Sequence, residues 1–499
     1  MDVLTSAFSL SFSLTSLPAY ASVALIALVV LYARSLAAWQ TRARGRPLPP
    51  GPRGLPLVGN LFDMPRVRPW EGLRELSAKY GNMMTLQMLT QRMVILGSAE
   101  VMLEYLEKKS ATSSDRLQSP SLLLTGNGDA FGFMRYGPRW RANRKLFSQF
   151  FNPTGIVKYR DAQRAVAHEL LQRLLADPST EHRDRQVEFS ISSMLLRIVY
   201  GIYASEEDQA ILAVDAGVRG TREVILAGGF IIDYFPVLQH LPSSFVPVQR
   251  KFAKWRGALE RMTTLPFAQF MSQEIKPECV LNDMLAVVDK GAKADLEAQG
   301  LARDVAAVVF SAGVDTTAST MKSFFLAMVL YPEVQKKAQA ELDAVVGPTR
   351  LPDFSDRPSL VYINAIIREM YRWMPVPPIA VPHLTTEDEE FGGHFIPKGT
   401  LLVPNVWAAL HDPEAYERPD DFVPERICPG MYFAEAVFFI NIAMILHTFN
   451  ITPPLDETGH EIKIIPRMGD GIVSIPEDSR CALKCRSAQA EALIMAELV

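Results

Sequence analysis

Five places along this sequence carry residue types that could do chemistry. Cys428-Pro429-Gly430 stands just before an apolar run that begins near Met431. A thiol at a helix N-terminus meets free backbone N–H groups and the positive end of the helix dipole, which shift it toward thiolate. A thiolate can attack an electrophile or bind iron, although an isolated cysteine is also a common inert core residue. The second place is Val305 to Thr320, where Asp315 interrupts an apolar helical pattern. A carboxylate left unpaired there is costly, or takes up a proton. Beside it, Gly313 and Ala312 would let a flat ligand approach the backbone. Thr316 and Thr317 could bond to earlier carbonyls and open the helix. Read alone, the segment is equally a polar turn in a core helix.

Glu369 and Arg372 have the acid-first spacing of a helical ion pair, which by itself reads as a surface contact of little worth. Trp140 and Arg144, with Arg141 and Lys145 nearby, share a basic helix face. That face is either solvated or presents a guanidinium and an indole N–H to a carboxylate or phosphate. Cys481-x-x-x-Cys485 has no adjacent histidine and makes a weak metal pattern.

Holding these groups requires a large body, and the pattern of apolar residues supplies one. Ile363, Ile366, Ile367, Met370 and Tyr371 recur at helical spacing until Pro375 ends the run. Phe433 to Phe449 is apolar almost all round, as in a helix buried within a large domain. Alternation in Met83 to Met88, followed by Met93 to Leu96, predicts strands. The fold class is mainly α with a minor β part. No repeat, low-complexity tract or second hinge divides the body, so a single domain over 54–499 is expected.

Ahead of it, residues 1–19 precede an apolar stretch, 20–38, that reads as a transmembrane anchor. The arginines follow the apolar run, which by the positive-inside rule places the body in the cytosol. Residues 39–53 are a basic, proline-rich linker stiffened by Pro47-Leu48-Pro49-Pro50-Gly51-Pro52. The 499 residues are 48% hydrophobic with a net charge of -4, which excludes disorder and a global attraction to nucleic acid. Four cysteines make no disulfide framework and fit a reducing compartment.

In order and spacing, these pieces resemble the cytochrome P450 family, the haem-thiolate monooxygenases, in the membrane-anchored style of fungal enzymes. The likeness spans nearly the whole chain. It adds Pro382-His383, Ile396-Pro397-Lys398-Gly399-Thr400 and Phe422-x-Pro424-Glu425-Arg426 to the motifs above. The resemblance implies a single triangular domain with haem b between the helix of Asp315 and the helix after Cys428. Cys428, beside Gly430, would be the axial iron ligand, a thiolate that favours O–O cleavage. Ala312 and Gly313 would form the dioxygen groove, and Thr316 with Asp315 would deliver protons there. Trp140, Arg144 and His383 would contact the haem carboxylates. Glu369 and Arg372 would be structural, bonded to the arginine of the Phe-x-Pro-Glu-Arg segment. Electrons would come from NADPH through a membrane-bound reductase docking near Arg141 and Lys145. The substrate would be a lipophilic small molecule, in an endoplasmic reticulum setting of secondary metabolism. Residues 117–124, 225–235, 376–381 and 468–473 would line its pocket.

One departure matters. The family separates its Pro-Glu-Arg segment from the cysteine by a meander and a Phe-x-x-Gly-x-Arg-x-Cys-x-Gly loop, whereas here Pro424-Glu425-Arg426-Ile427-Cys428 fuses them. Asp421 stands where the phenylalanine belongs and Pro424 where the glycine belongs. Arg426 must serve either Glu369 and Arg372 or a haem carboxylate, because one side chain cannot readily fill both sites. A skipped coding stretch and a natural variant both explain the fusion, and the chain as written is expected to bind haem poorly. Two further readings stay open: a haem-deficient scaffold, and a haem-thiolate isomerase that needs no O₂.

Overall fold

The computed structural model describes residues 17–225, 229–288, 296–424, 432–471 and 473–496. They pack as two compact units: 1–49 with 387–398, and 50–386 with 399–499.

The larger unit is mainly helical, as its periodicity predicts. Its spine is a helix of 35 residues, which with the others is labelled here in chain order: α1 (Leu17–Ala43), α2 (Pro138–Phe150), α3 (Thr180–Tyr200), α4 (Gln209–Val224), α5 (Val248–Ser272), α6 (Leu296–Leu330, the spine), α7 (Val361–Trp373) and α8 (Tyr432–Thr448). One continuous apolar core joins α3, α6, α7 and α8. From Ala436 to Phe449 every residue of the α8 segment is buried, which explains why its sequence shows no polar face. On α7 the buried residues include Ile363, Ile366, Ile367 and Met370, four of the five positions its spacing singles out, while Tyr371 is half-buried.

Strands β1 (Met83–Met88) and β2 (Gln91–Leu96) form the expected antiparallel pair, with Met84 opposite Ile95. The tight turn between them holds Leu89 at φ 51°, in the left-handed region. β3 (His383–Leu384) and β6 (Leu401–Pro404) complete a sheet of order β1-β2-β6-β3, in which β2 and β6 run parallel. Met84, Leu86, Ile95, Leu401 and Val403 give this sheet a small core of its own. A further pair, β7 (Phe449–Thr452) with β8 (Ala482–Cys485), extends directly from the end of α8.

The smaller unit consists of α1 and an antiparallel hairpin, β4 (Glu389–Phe391) with β5 (His394–Ile396). Among the described residues no helix is long and apolar enough to cross a membrane. The side chains of 17–25, 28, 29 and 32, much of the apolar run, lie outside them.

Candidate active site

At the middle of α6 the spine is accessible: Ala312 is exposed and Ser311, Gly313, Asp315 and Thr316 are half-buried, between Phe310 and the enclosed turns after Thr317. Thr316 donates its hydroxyl to the Ala312 carbonyl at 2.7 Å. The helix nonetheless runs unbroken from Leu296 to Leu330, so the opening expected of the two threonines does not occur. Back-bonding satisfies the hydroxyl without displacing the backbone ladder.

Asp315 is not an isolated carboxylate. Arg222 on α4 grips it in a two-pronged ion pair, with Nε donating to Oδ2 at 2.9 Å and Nη2 donating to Oδ1. That partner stands 93 residues away, and no local pattern marks it among 51 basic residues. Gly313 also turns out to serve packing. A Cβ there would lie 2.9 Å from Leu195 Cδ1, so a side chain at this position would make that leucine on α3 shift. Ala312 is the exposed residue of the two.

The basic face of α2 is partly as expected. Trp140 is half-buried and packs on Tyr136, with ring centroids 5.0 Å apart. Arg144 is exposed and its guanidinium makes no hydrogen bond or ion pair among the described residues. The Tyr136 N–H donates to Asp115 at 2.8 Å, and the Leu384 N–H donates to the Asp115 carbonyl at 2.7 Å. The 112–116 segment therefore links the start of α2 to β3. His383 on β3 donates Nδ1–H to the Ser113 carbonyl at 2.8 Å, since a carbonyl can only accept. Burial, and then the Arg116 charge, lower its pKa to about 4, so its free Nε2 is an acceptor. Its Nδ1–H is thus committed to the Ser113 carbonyl. Arg116, overlooked in the sequence, is a cation close by. It is half-buried, donates through Nη1 to the carbonyls of Val381 and Pro382 (2.7 Å for Pro382), and burial lowers its pKa to about 10.

Glu369 and Arg372 are 1% and 0% exposed, which overturns the reading of a surface pair. Arg372 uses all five of its N–H donors: two to Glu369 at 2.8 Å each, and the rest to the carbonyls of Leu410, Pro419 and Asp421 at 3.0, 2.7 and 2.7 Å. Glu369 also accepts the Val423 N–H at 2.7 Å. The pair thus binds the chain leading to Pro424 through its backbone, with Arg372 needing nothing from Arg426. Arg426, Cys428 and Gly430 lie outside the described residues.

An apolar cavity of about 90 Å³ is lined by Ile225, Pro378, Ile379, Leu401, Val403 and Gly471 among others, bringing together three of the four stretches expected to form the pocket. Leu117, from the fourth, packs against the same small core as Ile379. Ile232 does not join them; it packs with Val246 and Phe252 in a separate cluster.

The sequence matches the cytochrome P450 family over residues 49–427. It is 34% identical to cytochrome P450 monooxygenase 45 of Postia placenta over 507 positions, covering 95% of this chain and 94% of that one. It is 36% identical to cytochrome P450 monooxygenase COX2 of Coprinopsis cinerea, covering 91% and 92%, and 36% identical to monooxygenase 208 of Postia placenta over 508 positions, covering 95% and 96%. The chain belongs to the cytochrome P450 family. As a cytochrome P450 monooxygenase it is an oxidoreductase that incorporates O₂. Membership implies a haem-thiolate cofactor, and the described residues fit such a group on one side. Ala312 is exposed just before the buried turns of α6, and Arg144, Arg116 and the Trp140 indole are available for anionic edges.

Proposed function

We propose that the native form of this protein is a membrane-anchored monooxygenase that inserts one atom of O₂ into a lipophilic small molecule, with Cys428 as the cofactor's thiolate, and that the chain as written holds the cofactor poorly. The accessible Ala312 to Thr316 stretch, followed by the buried turns of α6 from Thr317 onward, carries the first half. It provides a place for a flat group to lie against helix backbone, beside residues able to handle protons. When bound, haem supplies the oxygen and redox chemistry, with electrons reaching it from NADPH through a reductase. The chain's own residues position and protonate. Ala312 leaves room, Thr316 presents a hydroxyl held by its own helix, Asp315 is oriented by Arg222, and Arg144 with Arg116 would hold carboxylates. The lining of the Ile225 to Gly471 cavity favours a nonpolar substrate. The single apolar run before Arg34 supports the anchor, with the body on the cytosolic face of the endoplasmic reticulum. A place in secondary metabolism is part of this reading.

The second half rests on length. The alignments to two relatives run over 507 and 508 positions against a chain of 499 residues, so those relatives carry residues with no counterpart here. The family match stops at Ile427, one residue before the cysteine. This favours the reading of a haem-deficient scaffold for the chain as it stands. An isomerase is disfavoured by the Asp315-Thr316 pair and would need no NADPH. The test is the reduced, carbon-monoxide difference spectrum of membranes holding the chain without added residues. Absence of a thiolate-type Soret band, with protein present, is expected. A full band would refute the shortened-loop argument and make NADPH-dependent oxidation of a substrate panel the next measurement.

A further inference from the structure

The hairpin of β4 and β5 lies in sequence between two strands of the main sheet, β3 and β6, yet it forms one compact unit with the amino-terminal helix. The residues at its base show how. Asp388 accepts a hydrogen bond from the Lys398 N–H at 2.8 Å, which fixes its carboxylate at the base of the hairpin. Arg42 then docks on that carboxylate with both prongs of its guanidinium, Nε to Oδ2 at 2.7 Å and Nη2 to Oδ1 at 2.6 Å. The bond from Arg42 is the main reason the Asp388 carboxyl lies below the usual carboxylate range.

One turn earlier on α1, Trp39 meets Phe395 of β5 edge-on, with ring centroids 5.2 Å apart. The Phe395 N–H donates to the Pro47 carbonyl at 2.8 Å, so the chain leaving α1 runs beside β5, and Arg46 pairs with Glu390. Trp39 and Arg42 are three apart and share a helix face. The hairpin thus offers a fixed carboxylate, an aromatic edge and a free backbone N–H, spaced to receive an indole, a guanidinium and a carbonyl in succession.

We propose that the 387–398 hairpin is a docking site for the end of the amino-terminal helix, and that its order depends on that helix. The pieces are individually weak, because Arg42 and Asp388 are 46% and 32% exposed and solvent screens them. Their conjunction is what specifies the partner: an indole and a guanidinium one helical turn apart, followed by an extended residue. Asp388 and Glu390 also neutralise two of the arginines that follow the apolar run, which leaves fewer cations there for anionic surfaces.

The test is amide hydrogen exchange of the full-length chain, followed by mass spectrometry, in unmodified form and as Asp388→Ala, Asp388→Arg and the swap Arg42→Asp with Asp388→Arg. The single variants are expected to raise exchange in both 389–396 and 39–47 by about three- to tenfold, leaving 83–96 unchanged. The swap should return both segments toward the unmodified rate. Unchanged exchange in the hairpin, or a change in the hairpin without one in 39–47, would overturn the proposal, since the body would then be what orders it. If a single variant disturbs 83–96 as well, the swap decides: recovery supports docking, and no recovery defeats it. None of these readings depends on haem content or on membrane insertion.

Discussion

Arg372 shows how much a single buried side chain can organise. Breaking a buried ion pair leaves an uncompensated charge, so Glu369→Ala is expected to cost about 3 to 5 kcal/mol of stability. Arg372→Lys should cost nearly as much despite keeping the charge, because an ammonium has three donors where five acceptors converge. Urea unfolding of both variants checks this. A rescue by lysine would show that charge, and not the fork, is what matters. Two histidines make a second prediction at this scale. Burial lowers His383 to about 4 and His411 to about 3, while unfolded chains take up the proton near the ordinary value of 6.5. Both contribute nothing adverse above that value, where folded and unfolded chains are alike neutral. As pH falls from 6.5 toward 3 the unfolded state binds more protons, so stability is progressively lost. His411, stacked on Trp407 at 4.3 Å and only 3% exposed, should dominate. Denaturant midpoints measured between pH 7 and pH 4 should fall less steeply in His411→Gln.

Between elements, the telling contact is Arg222 to Asp315, which joins α4 to the spine. A double-mutant cycle with Arg222→Ala and Asp315→Asn should give a coupling of about 1 to 2 kcal/mol in unfolding. A value near zero would mean solvent screens the pair despite 13% exposure of the acid. This contact also marks the limit of sequence reading. β1, β2 and α7 were legible because burial on one face leaves a period of two or of three to four in the residues themselves. The burial of α8 was legible because a helix enclosed on all sides needs no polar face. Partnership across 93 residues leaves no such trace, and neither does the orientation of Gly313, whose role depends on Leu195 of another helix. Likewise Arg116 acquires its interest only when β3 brings Val381 and Pro382 to it.

For the molecule as a whole, the site divides into a half the fold builds and a half that rests on a few residues of chain. In the proposed reading, the exposed Ala312, the cations around α2 and the apolar cavity belong to the first half. The proposed Cys428 thiolate belongs to the second. Restoring a family-length meander and loop between Pro424 and Cys428 is expected to raise haem bound per chain several-fold. The circular-dichroism signal of the helical body should change little, because α3, α6, α7 and α8 already share one continuous apolar core. Equal haem content with and without the insertion would remove the loop from the explanation and turn attention to Arg144 and Arg116.

The bonds from Arg372 and Glu369 to Leu410, Pro419, Asp421 and Val423 have one more consequence. They rivet the strand of chain at four points, and Phe422 is wedged between Trp373 and Tyr331 beside them. Mechanically, a backbone held at these points up to Val423 acts as an anchor. A change of coding length beyond it would pull first against Glu369 and Arg372, so this pair is expected to shield the sheet and the spine from length variation on that side.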